Sequence, residues 1–298
     1  MLQLVAQAVG LMLAGVALAR LYPKPVDILN KLLFYGTLPL ALTVSVVRIA
    51  DLIAFSLAFG AALIHMAATM GAAIALAKLA RLESGRELVT LISLPNALFI
   101  AFPLAAALLG DSKYAVPHAV AFNAILVLLL AYLGSRGPRR VRAAVALYAA
   151  SFIAGLALNL AGAYRVAASF FDTLARTVST VNQLSFVVVG ASLYPLRVSR
   201  SMSRSIALVA AFRYLASPLM LLAALSAFSF LGLTLDSGFV AGSLLQSIMP
   251  PAVTCIVIGR ELRMDESLIA AAIVTLTPAS VILAVLLQGV GAIPGSFG

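Results

Sequence analysis

Ten carboxylates and two histidines are the chain's whole supply of general acids and bases, and no spacing among them suits catalysis. His65 and His118 stand far apart in sequence, no His-Glu-x-x-His run exists, and no Asp-rich pair is present to hold a metal. A serine nucleophile would lack its base. The acids are Asp27, Asp51, Glu83, Glu87, Asp111, Asp172, Asp236, Glu261, Asp265 and Glu266, and each falls between apolar runs or at the end of one. Ionisable residues deep in a bilayer are usually functional, so their absence argues against proton pumping through a buried carboxylate. The chain reads as a non-enzyme, and the chemistry left to it is recognition by neutral polar groups and by the backbone.

That recognition has a place to happen. The stretch LLQSIMPPAVTCIVIGREL, residues 244–262, is apolar enough for a membrane, yet Met249, Pro250 and Pro251 interrupt it. Proline removes a backbone donor and clashes with the preceding turn, so a pair should break the helix. A broken helix in hydrocarbon survives only where protein or a water-filled cavity satisfies its backbone. Pro251 suits the start of a second half-helix. Half-helix N-termini offer free N–H groups and a positive dipole end, which favours an anion and above all a carboxylate. Pro103 marks a similar place in an earlier run. Ser93 and Asn96 precede it; Gln246 and Ser247 precede the proline pair, and Thr254 follows it. Asn96, Gln246, Thr254, Asn123, Asn182 and Gln183 are therefore the candidate substrate- or ion-binding side chains. Arg213 is the one charge well inside an apolar run. It is expected to snorkel to the cytoplasmic side, and its functional alternative is a counter-charge for an anion in a cavity. His65 reads as a hydrogen-bonded packing residue rather than a proton relay.

The elements that must position these residues follow from composition. Of 298 residues 63% are hydrophobic and only 10% charged, with a mean hydropathy of +1.12. A soluble domain carries about 25% charged residues. Apolar runs long enough to span a bilayer lie near 2–19, 26–47, 52–77, 88–109, 115–135, 143–163, 174–195, 205–231, 238–258 and 267–289. Ala17-Leu18-Ala19 resembles a signal-peptide cleavage site. The preceding segment has no Lys or Arg, so the first helix is expected to be retained. Cys255 is the single cysteine and allows no intrachain disulfide.

The net charge of +10 is a topology signal, not a nucleic-acid footprint. Fifteen Lys and Arg fall in loops after odd-numbered spans and four after even-numbered ones. The positive-inside rule then places the odd loops in the cytoplasm and both termini outside. GSRGPRR, residues 134–140, divides the chain into five spans and five spans. A five-helix unit ends on the side opposite its start, so a second copy must be inverted, as in many secondary transporters. Pro103 matches Pro250 at an offset of 147 and Gly110 matches Gly259 at 149. The expected fold is an all-α polytopic membrane protein of ten helices: a first repeat over 1–135, a basic linker over 136–142, and an inverted repeat over 143–298.

Four stretches carry a resemblance: ILNKLLFYGTLPLALTVSVV, LPNALFIAFPLAAALLGD, FVVVGASL and SIMPPAVTCIVIGRELRMDESLIAAAIVTLTP. Together they resemble the auxin efflux carrier family, which shares its fold with the bile acid:sodium symporters. The resemblance implies broken fourth and ninth helices that cross at their prolines, here Pro103 and Pro250, between a scaffold and a moving core. It also aligns Asn96 with an Asn of the family's fourth-helix motif. Where that motif often carries glycines, this chain has Ala97-Leu98 and Ala101-Phe102. The sodium-coupled cousins use acidic groups near the crossing, whereas Gln246 is the nearest polar group here.

The resulting expectation is an elevator-like carrier of small organic anions in the cytoplasmic membrane. Its partners would be the substrate anion and the lipid bilayer, with a homodimer allowed and nucleic acid excluded. No cofactor or metal is expected, and coupling to Na+ or H+ is left open. The alternatives are a sodium-coupled organic anion transporter, a drug/metabolite exporter of five-plus-five helices, and an anion channel.

Overall fold

The computed structural model describes residues 2–134, 139–191, 194 and 202–293. Among them every regular element is helical. Six stretches are long and apolar enough to cross a bilayer: Lys24–Val47, Leu52–Leu79, Ser112–Tyr132, Val141–Leu160, Ser203–Phe230 and Glu266–Gly289. At 1.5 Å per residue each spans about 30 Å or more, the thickness of the hydrocarbon.

In chain order the helices are α1 (Leu2–Leu21), α2 (Pro23–Leu32), α3 (Leu38–Val47), α4 (Leu52–Leu79), α5 (Gly85–Ser93), α6 (Ala101–Leu109), α7 (Val116–Tyr132) and α8 (Arg139–Leu160). There follow α9 (Ala163–Asn182), α10 (Ser185–Ala191), α11 (Ser203–Ala211), α12 (Ser217–Phe230), α13 (Ser237–Ser247), α14 (Thr254–Glu261) and α15 (Glu266–Gly289). A π turn over Leu33–Thr37 joins α2 to α3, and another over Phe212–Ala216 joins α11 to α12. Pro39 and Pro218 each follow a π turn closely. The wider turn takes up the clash a proline ring makes with the carbonyl one turn earlier.

Two expectations shift. The apolar run expected at 174–195 begins earlier, as α9, which bends at Ala167 and stops at Asn182 before α10 resumes. Of the expected linker, residues 136–138 lie outside the described residues, and Arg139–Arg142 opens α8. Several acids have a structural task. Asp51, Asp111, Asp236 and Asp265 each accept main-chain N–H groups at a helix start, satisfying donors that have no intrahelical partner.

The helices pack most extensively within two groups. In one, α1 lies along α10, and α3 lies against α8 and α9. Gly15 and Gly190 bring α1 and α10 backbone to backbone, since a Cβ at either would collide with the Val187 or Met12 carbonyl. In the other, α4 packs on α5, α7 and α12, while α15 packs on α11 and α14. Arg48, just past α3, ties that helix to α9 and to the residues that follow α6. It pairs with Asp111 at 2.8 Å and with Asp172 of α9 at 2.9 Å. Burial acts to lower its pKa, but the two carboxylates outweigh that and hold it above the ordinary arginine value.

Candidate functional site

α5 and α13 both stop inside the molecule, and α6 and α14 begin after gaps at 94–100 and 248–253. The gaps meet. Pro95 faces Pro251 in an antiparallel bridge, with the Asn96 amide donating to the Pro250 carbonyl at 2.7 Å and the Ala252 amide to the Leu94 carbonyl at 2.8 Å. These bonds come from the flanking residues, so the two prolines occupy the position of an antiparallel pair that exchanges no hydrogen bonds. Their missing N–H groups therefore cost the pairing nothing. The meeting point expected at Pro103 falls at Pro95 instead, and Pro250 contributes its carbonyl while Pro251 sits in the bridge. Pro103 lies inside α6, where an early helical position tolerates its missing donor. It lines small cavities away from the bridge, one with Asn182 and one with Gln183.

Beside the bridge lies a narrow, partly open cleft of about 460 Å³, open solvent included. Its polar lining includes Asn96, Asn123, Thr254 and the largely buried Tyr148; Phe34, Phe99, Phe122 and Leu126 make much of the rest. Asn96 is buried, and its Oδ1 accepts the Ile100 amide at 3.2 Å. That bond fixes which end of the amide is oxygen and leaves Nδ2 as a buried donor with no partner. The backbone adds more donors. Among the described residues no acceptor is bonded to the amides of Leu98, Phe99, Val253 or Thr254, all of which belong to residues lining the cleft. Phe34, Phe99, Val141, Val253 and Thr254 also line a wider vestibule of about 1300 Å³, whose mouth carries Lys31 and Arg260.

Other candidates stand apart from this cleft. Gln246 is fully buried, and its Nε2 ties the Ala97 carbonyl at 3.1 Å to that of Ala115 at 3.2 Å. Asn182 is buried with an unpartnered Oδ1 beside Pro103, and Gln183 accepts from Gln7 at 2.7 Å. Met249 is buried at the break and offers its carbonyl to Arg213.

Arg213 corrects both of its expected roles. It neither snorkels nor lines the cleft; it is 1% exposed. Its Nε donates to the Met249 carbonyl at 2.7 Å, Nη1 to that of Ile92 at 3.2 Å and Nη2 to that of Gln246 at 3.3 Å. His65 and His118, so distant in sequence, lie with ring nitrogens 3.2 Å apart on α4 and α7. Ser217 donates its only proton to the Ser247 carbonyl, so it accepts from His65 Nε2 at 3.0 Å. His118 must then donate to His65 Nδ1, which leaves His118 Nδ1 an acceptor without a partner.

Fold and site together define the class: a polytopic helical membrane protein with paired helix breaks beside a largely apolar cleft. Compared with known proteins, the chain matches no family model and no curated sequence.

Proposed function

We propose that the protein is a secondary carrier of small organic anions, carboxylates foremost, of the kind the auxin efflux carrier resemblance suggests. The observation that carries this reading is the cleft at the paired breaks. Asn96 Nδ2 and the main-chain amides of four lining residues have no protein acceptor among the described residues, and no carboxylate stands among the lining residues. Such a site in apolar surroundings favours an anion. Lys31 at the vestibule mouth favours the approach of anions, while Arg260 beside it is paired with Glu266.

On this reading the elements group into ten spans. α2 with α3, α5 with α6, α9 with α10, α11 with α12, and α13 with α14 each make one span. The breaks then fall in the fourth and ninth spans, equivalent places in two inverted five-span repeats. The basic loops, and with them the vestibule mouth, face the cytoplasm. The first packed group is the scaffold, and the second, which carries both breaks, is the part that moves.

The test is current from proteoliposomes on a solid support, challenged with a panel of mono- and dicarboxylates with and without sodium, and isotope uptake to catch electroneutral exchange. The expected result is a saturable response to at least one carboxylate. Linear, non-saturating flux with unitary steps would make the protein a channel, and no response in either assay would remove the carboxylate reading.

A further inference from the structure

Arg213 places a permanent positive charge where two helices end, and the cleft does not explain it. No described ion pair includes it: the salt bridges join Arg48 to Asp111 and Asp172, Lys113 to Asp111, and Arg260 to Glu266. Its partners are all backbone. α5 and α13 both point their C-terminal ends into the break, and each end concentrates about half a negative charge and leaves carbonyls without intrahelical donors. Two such ends brought together in a dry interior repel each other unless a cation lies between them. Carbonyls of Ile92, Gln246 and Met249, from two separate chain segments, converge on the one guanidinium. Convergent main-chain oxygens are also how proteins hold a desolvated monovalent metal ion.

We propose that Arg213 is the resident cation of the paired breaks. Its guanidinium fills a carbonyl-built monovalent-cation site, so the breaks need no dissolved sodium or potassium and would accept one only when this side chain is removed. The main-chain carbonyls beside Arg213 are already taken, although the buried Gln246 Oε1 and Ser93 Oγ have no partner. Every carbonyl from Gln246 to Pro250 already has a protein donor: Arg213 on Gln246 and Met249, Ser217 on Ser247, Ser280 on Ile248, and the Asn96 amide on Pro250. The π turn over Phe212–Ala216 sits where Arg213 and Ser217 must reach the same strand of backbone, and single π turns often mark functional positions in helices. The planar, three-directional fork of arginine also fits three separated carbonyls in a way a lysine ammonium does not. The proposal stands on the break alone, and failure of the transport reading would leave it untouched.

The test uses the full-length protein purified in detergent. Thermal unfolding is followed with a thiol-reactive dye on Cys255, the single cysteine, buried next to the break; the chain has no tryptophan to follow instead. Unfolding is measured in choline, sodium and potassium chloride, and with guanidinium added well below denaturing concentration. Wild type should unfold at one temperature in all of them. Arg213→Ala should unfold earlier in choline and recover saturably with sodium, potassium or guanidinium, as ligand linkage requires. Arg213→Met, which fills the space without charge, should not recover. A saturable sodium shift in wild type, or an Arg213→Ala protein that unfolds at the wild-type temperature and ignores every cation, would overturn the proposal. If Arg213→Ala yields no folded protein, Arg213→Lys and Arg213→Gln decide the matter. Lysine must be the more stable of the two, and equal stability overturns the proposal.

Discussion

The two ends of the Asn96 amide differ: Oδ1 holds the turn after the break, and Nδ2 is a buried donor without a protein acceptor, the one the proposed function gives to the ligand. This separates two substitutions. Asn96→Ala removes both ends, so it should lower the unfolding temperature and raise the carboxylate concentration for half-maximal current. A hydrogen bond to a charged group contributes about 1.5–3 kcal/mol, so the rise should be about tenfold or more. Asn96→Asp keeps an acceptor for Ile100 and adds a carboxylate beside the free amides of Leu98 and Phe99. It should fold, yet abolish the current, because a fixed carboxylate occupies the place of the ligand's. A normal current from Asn96→Asp would move the anion elsewhere. Asn96, Asn123 and Thr254 were legible in the sequence because a polar side chain stands out in an apolar run. The four unbonded amides were not, since every residue but proline has one and only the break decides which go unpaired. The His65–His118 pair was equally hidden, because only the packing of α4 on α7 closes the distance.

At the level of elements, the proline pair predicts an asymmetry. Pro251 sits in the bridge without giving up a hydrogen bond, so Pro251→Ala should cost only about 0.4–1 kcal/mol, from the added freedom of the unfolded chain. One residue later, Ala252→Pro removes the amide that donates to the Leu94 carbonyl at 2.8 Å. It strands a buried acceptor at a cost of about 1–3 kcal/mol. Dye-monitored unfolding on Cys255 should therefore rank wild type, Pro251→Ala and Ala252→Pro in falling order of stability; the reverse order for the two variants would rule out the bridge. The break around Pro250 and Pro251 could be read from the sequence because two adjacent prolines leave a helix no alternative. The earlier run holds Pro95 and Pro103, and either could break a helix alone. What selects Pro95 is its pairing with a segment far along the chain, which no local rule contains. Six continuous stretches stand where ten runs were counted because hydropathy measures length and apolarity, while interruptions such as those after α5, α9 and α13 divide a run without changing either.

For the whole molecule, the two ends of the site differ. The vestibule opens toward Lys31 and Arg260, whereas at the end marked by Arg48 the cavity beside Pro103 is small, about 250 Å³, and holds the buried Val178. The contacts of Arg48 are unequal in kind. Asp172 belongs to α9, in the same packed group as α3, whereas Asp111 follows α6, which packs on α13 and α15 as well as on α9. If α6 moves with α13 and α15 against α3 during transport, the Arg48–Asp111 pair must break in each cycle while the Arg48–Asp172 pair need not. Arg48 and Asp111 are mostly shielded from solvent, at 18% and 12% side-chain exposure. A pair of this kind contributes about 1 kcal/mol, enough to shift a two-state population roughly fivefold. Because the Arg48 pKa is raised, its charge persists at any pH at which an ordinary arginine stays charged, so alkaline buffers in that range leave its side of the lock intact. The measurement is labelling of Val178→Cys, in a Cys255→Ser background, by a membrane-impermeant thiol reagent applied to the Arg48 face of proteoliposomes. Asp111→Asn should speed labelling several-fold while still capping the Lys113 amide, as asparagine does at a helix start. Asp172→Asn should speed it much less. Equal effects from the two would mean that the pair holds one rigid body together, and the boundary between the moving parts would have to be drawn somewhere other than between α3 and α6.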